Sequence, residues 1–116
     1  MLKCVAAHWL VVNDCCLMPC SGVGLDEDGI VRRVFALADA SVEPASTTFV
    51  DGYVAPFSAN VQNVAPDGLR AFLLDAARKN GKSLCVGCPA ELFNYSVSES
   101  GAVSVAPLAG LFTNKK

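Results

Sequence analysis

Val23-Gly24-Leu25-Asp26-Glu27-Asp28-Gly29-Ile30-Val31-Arg32-Arg33-Val34-Phe35 sets two apolar, β-branched runs on either side of an acidic turn that ends in glycine. Gly29 supplies the positive φ that a tight hairpin turn demands, and the flanking runs suit pleated backbone. The stretch predicts an antiparallel hairpin. Upstream, Val5, Ala7, Trp9 and Val11 alternate with Cys4, Ala6, His8 and Leu10, which predicts a further strand. Cys15 to Gly22, with Pro19, reads as a turn-rich connection.

Downstream, Ala38 to Ser46 is small and polar, carries Pro44, and reads as a loop. Thr47-Thr48-Phe49-Val50 predicts a short strand, Asp51-Gly52 a tight turn, and Tyr53-Val54-Ala55 a second extended segment. One helix is predicted at residues 67–79. Leu69, Phe72, Leu73, Ala76 and Ala77 form an apolar stripe at helical spacing, while Arg70, Asp75 and Arg78 face away from it. Pro66 or Asp67 opens this helix, Arg78 and Lys79 suit its negative end, and Asn80-Gly81 stop it. A third hairpin follows, with Leu92 to Val97 and Ala102 to Val105 around Ser98-Glu99-Ser100-Gly101; Pro107 to Asn114 predicts one more strand.

The predicted fold is mainly β. It is a small sandwich or partly open barrel of about 7–8 short strands with one packed helix. The chain has 116 residues, read as a single domain 1–116, and a catalytic (β/α)8 barrel of roughly 250 residues has no room in it. Apolar residues make up 53% and charged residues 17%, against about 25% charged in an ordinary domain. That surplus predicts an exposed apolar face covered by another chain.

The net charge is −2 and the basic residues form only isolated pairs, Arg32-Arg33, Arg78-Lys79 and Lys115-Lys116, so the phosphate-neutralising stripe of a nucleic-acid binder is missing. No apolar run reaches the roughly 20 residues of a membrane span. His8 and Asn13-Asp14 interrupt the apolar start, no A-x-A cleavage site follows, and Pro19 spoils a lipoprotein-type site at Cys20. The start therefore predicts a mature, cytoplasmic chain.

Six cysteines are read as reduced, acting as small buried apolar residues. Cys85 and Cys88 form a C-x-x-C pair, and Cys20, with Cys15 and Cys16 beside it, offers further thiolates for zinc. The second knuckle of a zinc ribbon is not at its usual spacing. A redox role would place the first cysteine at a helix N-terminus, whereas this pair follows the helix. His8, the only histidine, has no carboxylate near it in sequence, and Asp26-Glu27-Asp28 reads as a solvated turn. Gly22-Val23-Gly24 opens no helix and lacks the rest of a dinucleotide fingerprint.

Three stretches resemble, in order, segments of the metal-dependent amidohydrolases of the dihydroorotase and urease kind. Val23 to Val31 looks like the "vdedGrI" hairpin near the family's start. Phe49 to Phe57 is similar to "iDasGk-vlPGf", and Gly81 to Tyr95, with Leu84-Cys85-Val86-Gly87-Cys88-Pro89-Ala90-Glu91-Leu92 at its centre, to the C-terminal "GsLxvGxpADLvlfd". Leu69 to Lys79 resembles the family's last helix. The resemblance implies a composite β-sandwich, built from both ends of a long chain beside a catalytic barrel. Here 1–57 is the N-terminal half, 66–80 the helix and 83–114 the C-terminal half, with the barrel missing.

In the family a His-x-His metal pair follows the "PGf" element. Aligning Asn60 with the family's asparagine puts Gln62 and Val64 at those positions, and neither is a useful zinc ligand. The expectation is a non-catalytic module with no cofactor, acting in oligomerisation or protein interaction. A homodimer or a protein partner would cover its apolar face. The alternative expectation is a protein that binds a small molecule, or zinc through its cysteines.

Overall fold

The computed structural model describes residues 3–36 and 47–108. Its strands are β1 (Lys3–Asn13), β2 (Cys16–Leu25), β3 (Val31–Ala36), β4 (Thr47–Ala55), β5 (Phe93–Val97) and β6 (Val103–Pro107). They form one mixed sheet in the order β3-β2-β1-β4-β5-β6. Neighbours run antiparallel, except that β1 and β4 are parallel. The fold is mainly β with one helix, as the sequence predicts. Among the described residues six strands stand where about 7–8 were expected. The last of the expected strands, Pro107 to Asn114, and the loop Ala38 to Ser46 lie largely or wholly outside the described residues.

The acidic turn joins β2 to β3 as its glycine demands. Gly29 has φ +80°, and the Asp26 carboxylate accepts from the Asp28 and Ile30 amides at 2.8 and 3.1 Å. Two other predicted connections are corrected. Cys15 to Gly22 is mostly strand, because β2 begins at Cys16 and the turn is confined to Asp14-Cys15. A long antiparallel ladder with β1 carries even Pro19, opposite Trp9. Asp51-Gly52 is also no turn: β4 runs through it as a bulge.

β1 lies inside the sheet and is buried on both faces, with Val5, Ala6, Ala7, Leu10 and Val11 no more than 1% exposed. Strict alternation therefore gives way to a double-sided core strand. One buried cluster joins Val5, Ala7, Leu10, Val23, Leu25, Val31 and Val54 to Leu84, Leu92 and Leu108. Val31 on β3 and Leu108 just past β6 both belong to this cluster, which therefore spans the sheet from one edge strand to the other. Residues 87–90 pair with the β3 edge: the Val31 amide donates to the Cys88 carbonyl oxygen at 2.9 Å and the Gly87 amide to the Val31 carbonyl oxygen at 2.8 Å.

A second cluster packs Val11, Ala55, Phe57, Val61 and Tyr95 against the helix α1 (Leu69–Asn80). A 3-10 turn, Pro66–Gly68, leads into α1. Gly81 ends it at φ 65°, donating its amide to the Ala77 carbonyl oxygen at 2.9 Å. Leu69, Leu73, Ala76 and Ala77 are buried as the stripe predicts, and Phe72 is half-buried. Burial of each leucine contributes about 1.5–3 kcal/mol. Among the described residues no helix is long and apolar enough to cross a membrane.

Candidate functional site

The β4 bulge builds the most differentiated surface of the molecule. Ala7 pairs with Val50 and Trp9 with Tyr53, so His8 alone faces both Asp51 and Gly52. The extra residue fits because Gly52 has φ +126° and no side chain; a Cβ there would collide with the Tyr95 carbonyl oxygen on β5. Bulges redirect side chains. Here the Asp51 carboxylate stands 90% exposed, with its Oδ1 2.9 Å from His8 Nε2. The Asn94 side-chain amide donates to the Asp51 carbonyl oxygen at 3.3 Å and holds the bulge from the other strand.

Aromatic rings surround this pair. His8 meets Phe49 edge-on at 5.1 Å, and Trp9 stacks with Tyr53 at 6.3 Å. From the helix, the Arg70 guanidinium covers Trp9 at 4.1 Å from the ring centroid, so Arg70 does not simply face away into solvent. The result is an open groove of about 290 Å3 whose walls include Trp9, Tyr53, Ser96 and Val97, with His8 and Asp51 at its rim. Phe49 at 49% and Val97 at 44% are two of the three exposed large apolar residues among those described; the third is Val86 at 61%. The Ser96 hydroxyl lies 3.3 Å from the hydroxyl of Ser104. Chemically the groove offers flat apolar walls with one carboxylate acceptor at the edge.

The sequence-based candidates lie elsewhere. Cys85 and Cys88 end a tight turn in which the Cys88 amide donates to the Cys85 carbonyl oxygen at 3.0 Å. The neighbouring Cys85 thiol pushes the Cys88 thiol above its ordinary pKa. Cys20 is not with them. It sits in the middle of β2, at φ 44°, five residues or about 16 Å along the strand from Leu25, where the Cys88 turn meets the hairpin. Among the described residues no three of His, Cys, Asp and Glu gather to hold a metal ion.

Gln62 is exposed, its amide bonded to Asn60 Oδ1 at 2.9 Å, and Val64 packs on the second cluster. The cysteines are not buried apolar residues as expected: four are exposed and Cys4 and Cys16 are half-buried. Burial raises the Cys4 pKa, and the Asp14 carboxylate raises that of Cys15. A raised pKa lowers the thiolate fraction, so neither Cys4 nor Cys15 is activated as a nucleophile.

The groove escaped the sequence reading because it is made across a parallel pairing. His8 and Asp51 lie 43 positions apart, and an Asp-Gly pair between extended runs has the signature of a turn. Comparison with protein-family models, with curated proteins and with solved structures finds no match to this chain.

Proposed function

We propose that this chain is a non-catalytic interaction module: a composite sandwich of the amidohydrolase kind without its barrel, paired with a second copy of itself. The observation that carries this reading is the β4–β5 ladder, in which Tyr53, Val54 and Ala55 pair with Tyr95, Asn94 and Phe93. Strands from the two ends of the chain become neighbours there, as the resemblance to a composite domain requires. Gln62 and Val64 support the absence of amidohydrolase chemistry, because the turn and the apolar cluster they occupy offer no metal ligand. The exposed Phe49, which meets the His8 ring, and Val97 in the groove wall form the contact surface in this reading, and a two-fold dimer is the simplest closed solution.

Light scattering after gel filtration tests this. The expected mass is that of a dimer, reduced to a monomer by Phe49→Asp with Val97→Asp. A monomer at every concentration would remove the homodimer. A second reading, a small ligand in the groove, is favoured by the stacked Trp9 and Tyr53 walls. A change in Trp9 fluorescence on addition of small aromatic cations would mark it.

A further inference from the structure

We propose that Cys85 and Cys88 form a two-coordinate site for a soft, monovalent d10 cation of the copper(I) class. The turn geometry comes first. Gly87, at φ +93°, lets the chain reverse between the two cysteines, and the Cys88 amide closes the reversal on the Cys85 carbonyl oxygen. The turn is then stitched to the β2–β3 hairpin by three backbone hydrogen bonds. These are Gly87 to Val31 at 2.8 Å, Val31 to Cys88 at 2.9 Å and Ala90 to Gly29 at 3.1 Å. Both thiols are thereby carried on a fixed frame at the two ends of one tight turn, lining the same hollow and open to solvent.

The donor set selects the ion. Zinc takes four ligands in a structural site, and no third or fourth His, Cys, Asp or Glu joins this pair among the described residues. Calcium and magnesium require oxygens. Two thiolates match the softness and low coordination number of copper(I). On binding, two S–H bonds break and two sulfur–copper bonds form. Two protons leave to solvent, and copper keeps its oxidation state. The site then carries one net negative charge. The hollow beside it, of about 300 Å3, is lined by Lys82, which offsets that charge, and by Glu91, which opposes it.

The test is competition for copper(I) against a chromophoric chelator, with fully reduced protein under nitrogen. The wild-type chain is expected to withdraw one equivalent. Cys85→Ser with Cys88→Ser should weaken withdrawal at least about 100-fold. The Cys15→Ser, Cys16→Ser, Cys20→Ser variant, which leaves the turn intact, should match wild type. Circular dichroism of each variant checks the fold. Undiminished withdrawal by the double variant, no withdrawal by the wild type, or equally tight zinc binding in a parallel competition would each overturn the proposal.

Discussion

The hydroxyl of Tyr95 donates a 2.7 Å hydrogen bond to the carbonyl oxygen of Phe57, 38 positions earlier in the chain. Tyr95 sits on β5 and is fully buried, and Phe57 lies two residues past β4, 1% exposed. Their rings also pack at 6.2 Å. The bond therefore pins the place where the chain leaves the sheet towards α1. It adds a polar clasp to the three-residue ladder joining β4 to β5.

Removing that hydroxyl leaves the buried Phe57 carbonyl unpaired, so Tyr95→Phe is expected to cost about 1–3 kcal/mol in urea unfolding. Burial pushes the Tyr95 pKa up from 10.0 to about 12. The unfolded chain then ionises first as pH rises. The stabilisation is complete below pH 10 and disappears as the pH climbs to about 12. Wild type should lose more melting temperature across that interval than Tyr95→Phe; equal losses would contradict the assignment.

Gly52→Ala is expected to be the most damaging glycine substitution. It meets both an unfavourable φ of +126° and the backbone oxygen of Tyr95, which cannot move without opening the β4–β5 ladder. A loss of about 2–4 kcal/mol follows, against about 1 kcal/mol for Gly29→Ala, whose φ is +80° but whose surroundings are open. Similar losses for the two, measured by thermal unfolding, would show that the bulge relaxes around a methyl group.

What could be read in the sequence was local. The Asp26–Gly29 turn, the apolar stripe of α1 and its Gly81 stop are dictated by residues within a few positions of one another, and all form as expected. The errors arose where distant pairing overrode local signals. Pro19 and Gly22 look like punctuation, yet both are accommodated in β2 beside β1, with Gly22 passing under the Phe35 ring where a Cβ would lie 2.7 Å from it. The His8–Asp51 pair depends on a parallel register and a one-residue bulge, and no short-range pattern encodes either. The cysteines depart for the opposite reason: composition suggests burial, whereas four of them are exposed, Cys15, Cys85 and Cys88 at turns and Cys20 on β2.

Asp26 carries the hairpin turn through charge. Its carboxylate accepts chiefly from the Ile30 amide and then from Arg32 Nε at 2.7 Å, and these bonds hold its pKa below the ordinary 3.8. A depressed carboxyl pKa stabilises the fold above the unfolded value, and that contribution is lost as pH falls through the lower folded value. Below about pH 4 the wild type should lose stability faster than Asp26→Asn. Parallel acid-unfolding curves would show that Asp26 is not a stabilising acceptor.

Trp9 is the only tryptophan, so its fluorescence reports on one place: the wall of the groove beneath Arg70. The guanidinium carbon sits over the indole, 4.1 Å from the ring centroid, where the π face attracts its charge and the group covers the ring from water. Arg70 is itself exposed, so the attraction contributes about 0.5–1 kcal/mol. Arg70→Ala should reduce stability by that amount, shift Trp9 emission to longer wavelength and increase its quenching by acrylamide. Arg70→Lys keeps the charge but loses the planar cover, so it should restore part of the stability and less of the shielding. If Arg70→Ala leaves both emission and quenching unchanged, the helix does not roof this end of the groove. Trp9 would then be shielded from another side, by Tyr53 or by a second chain.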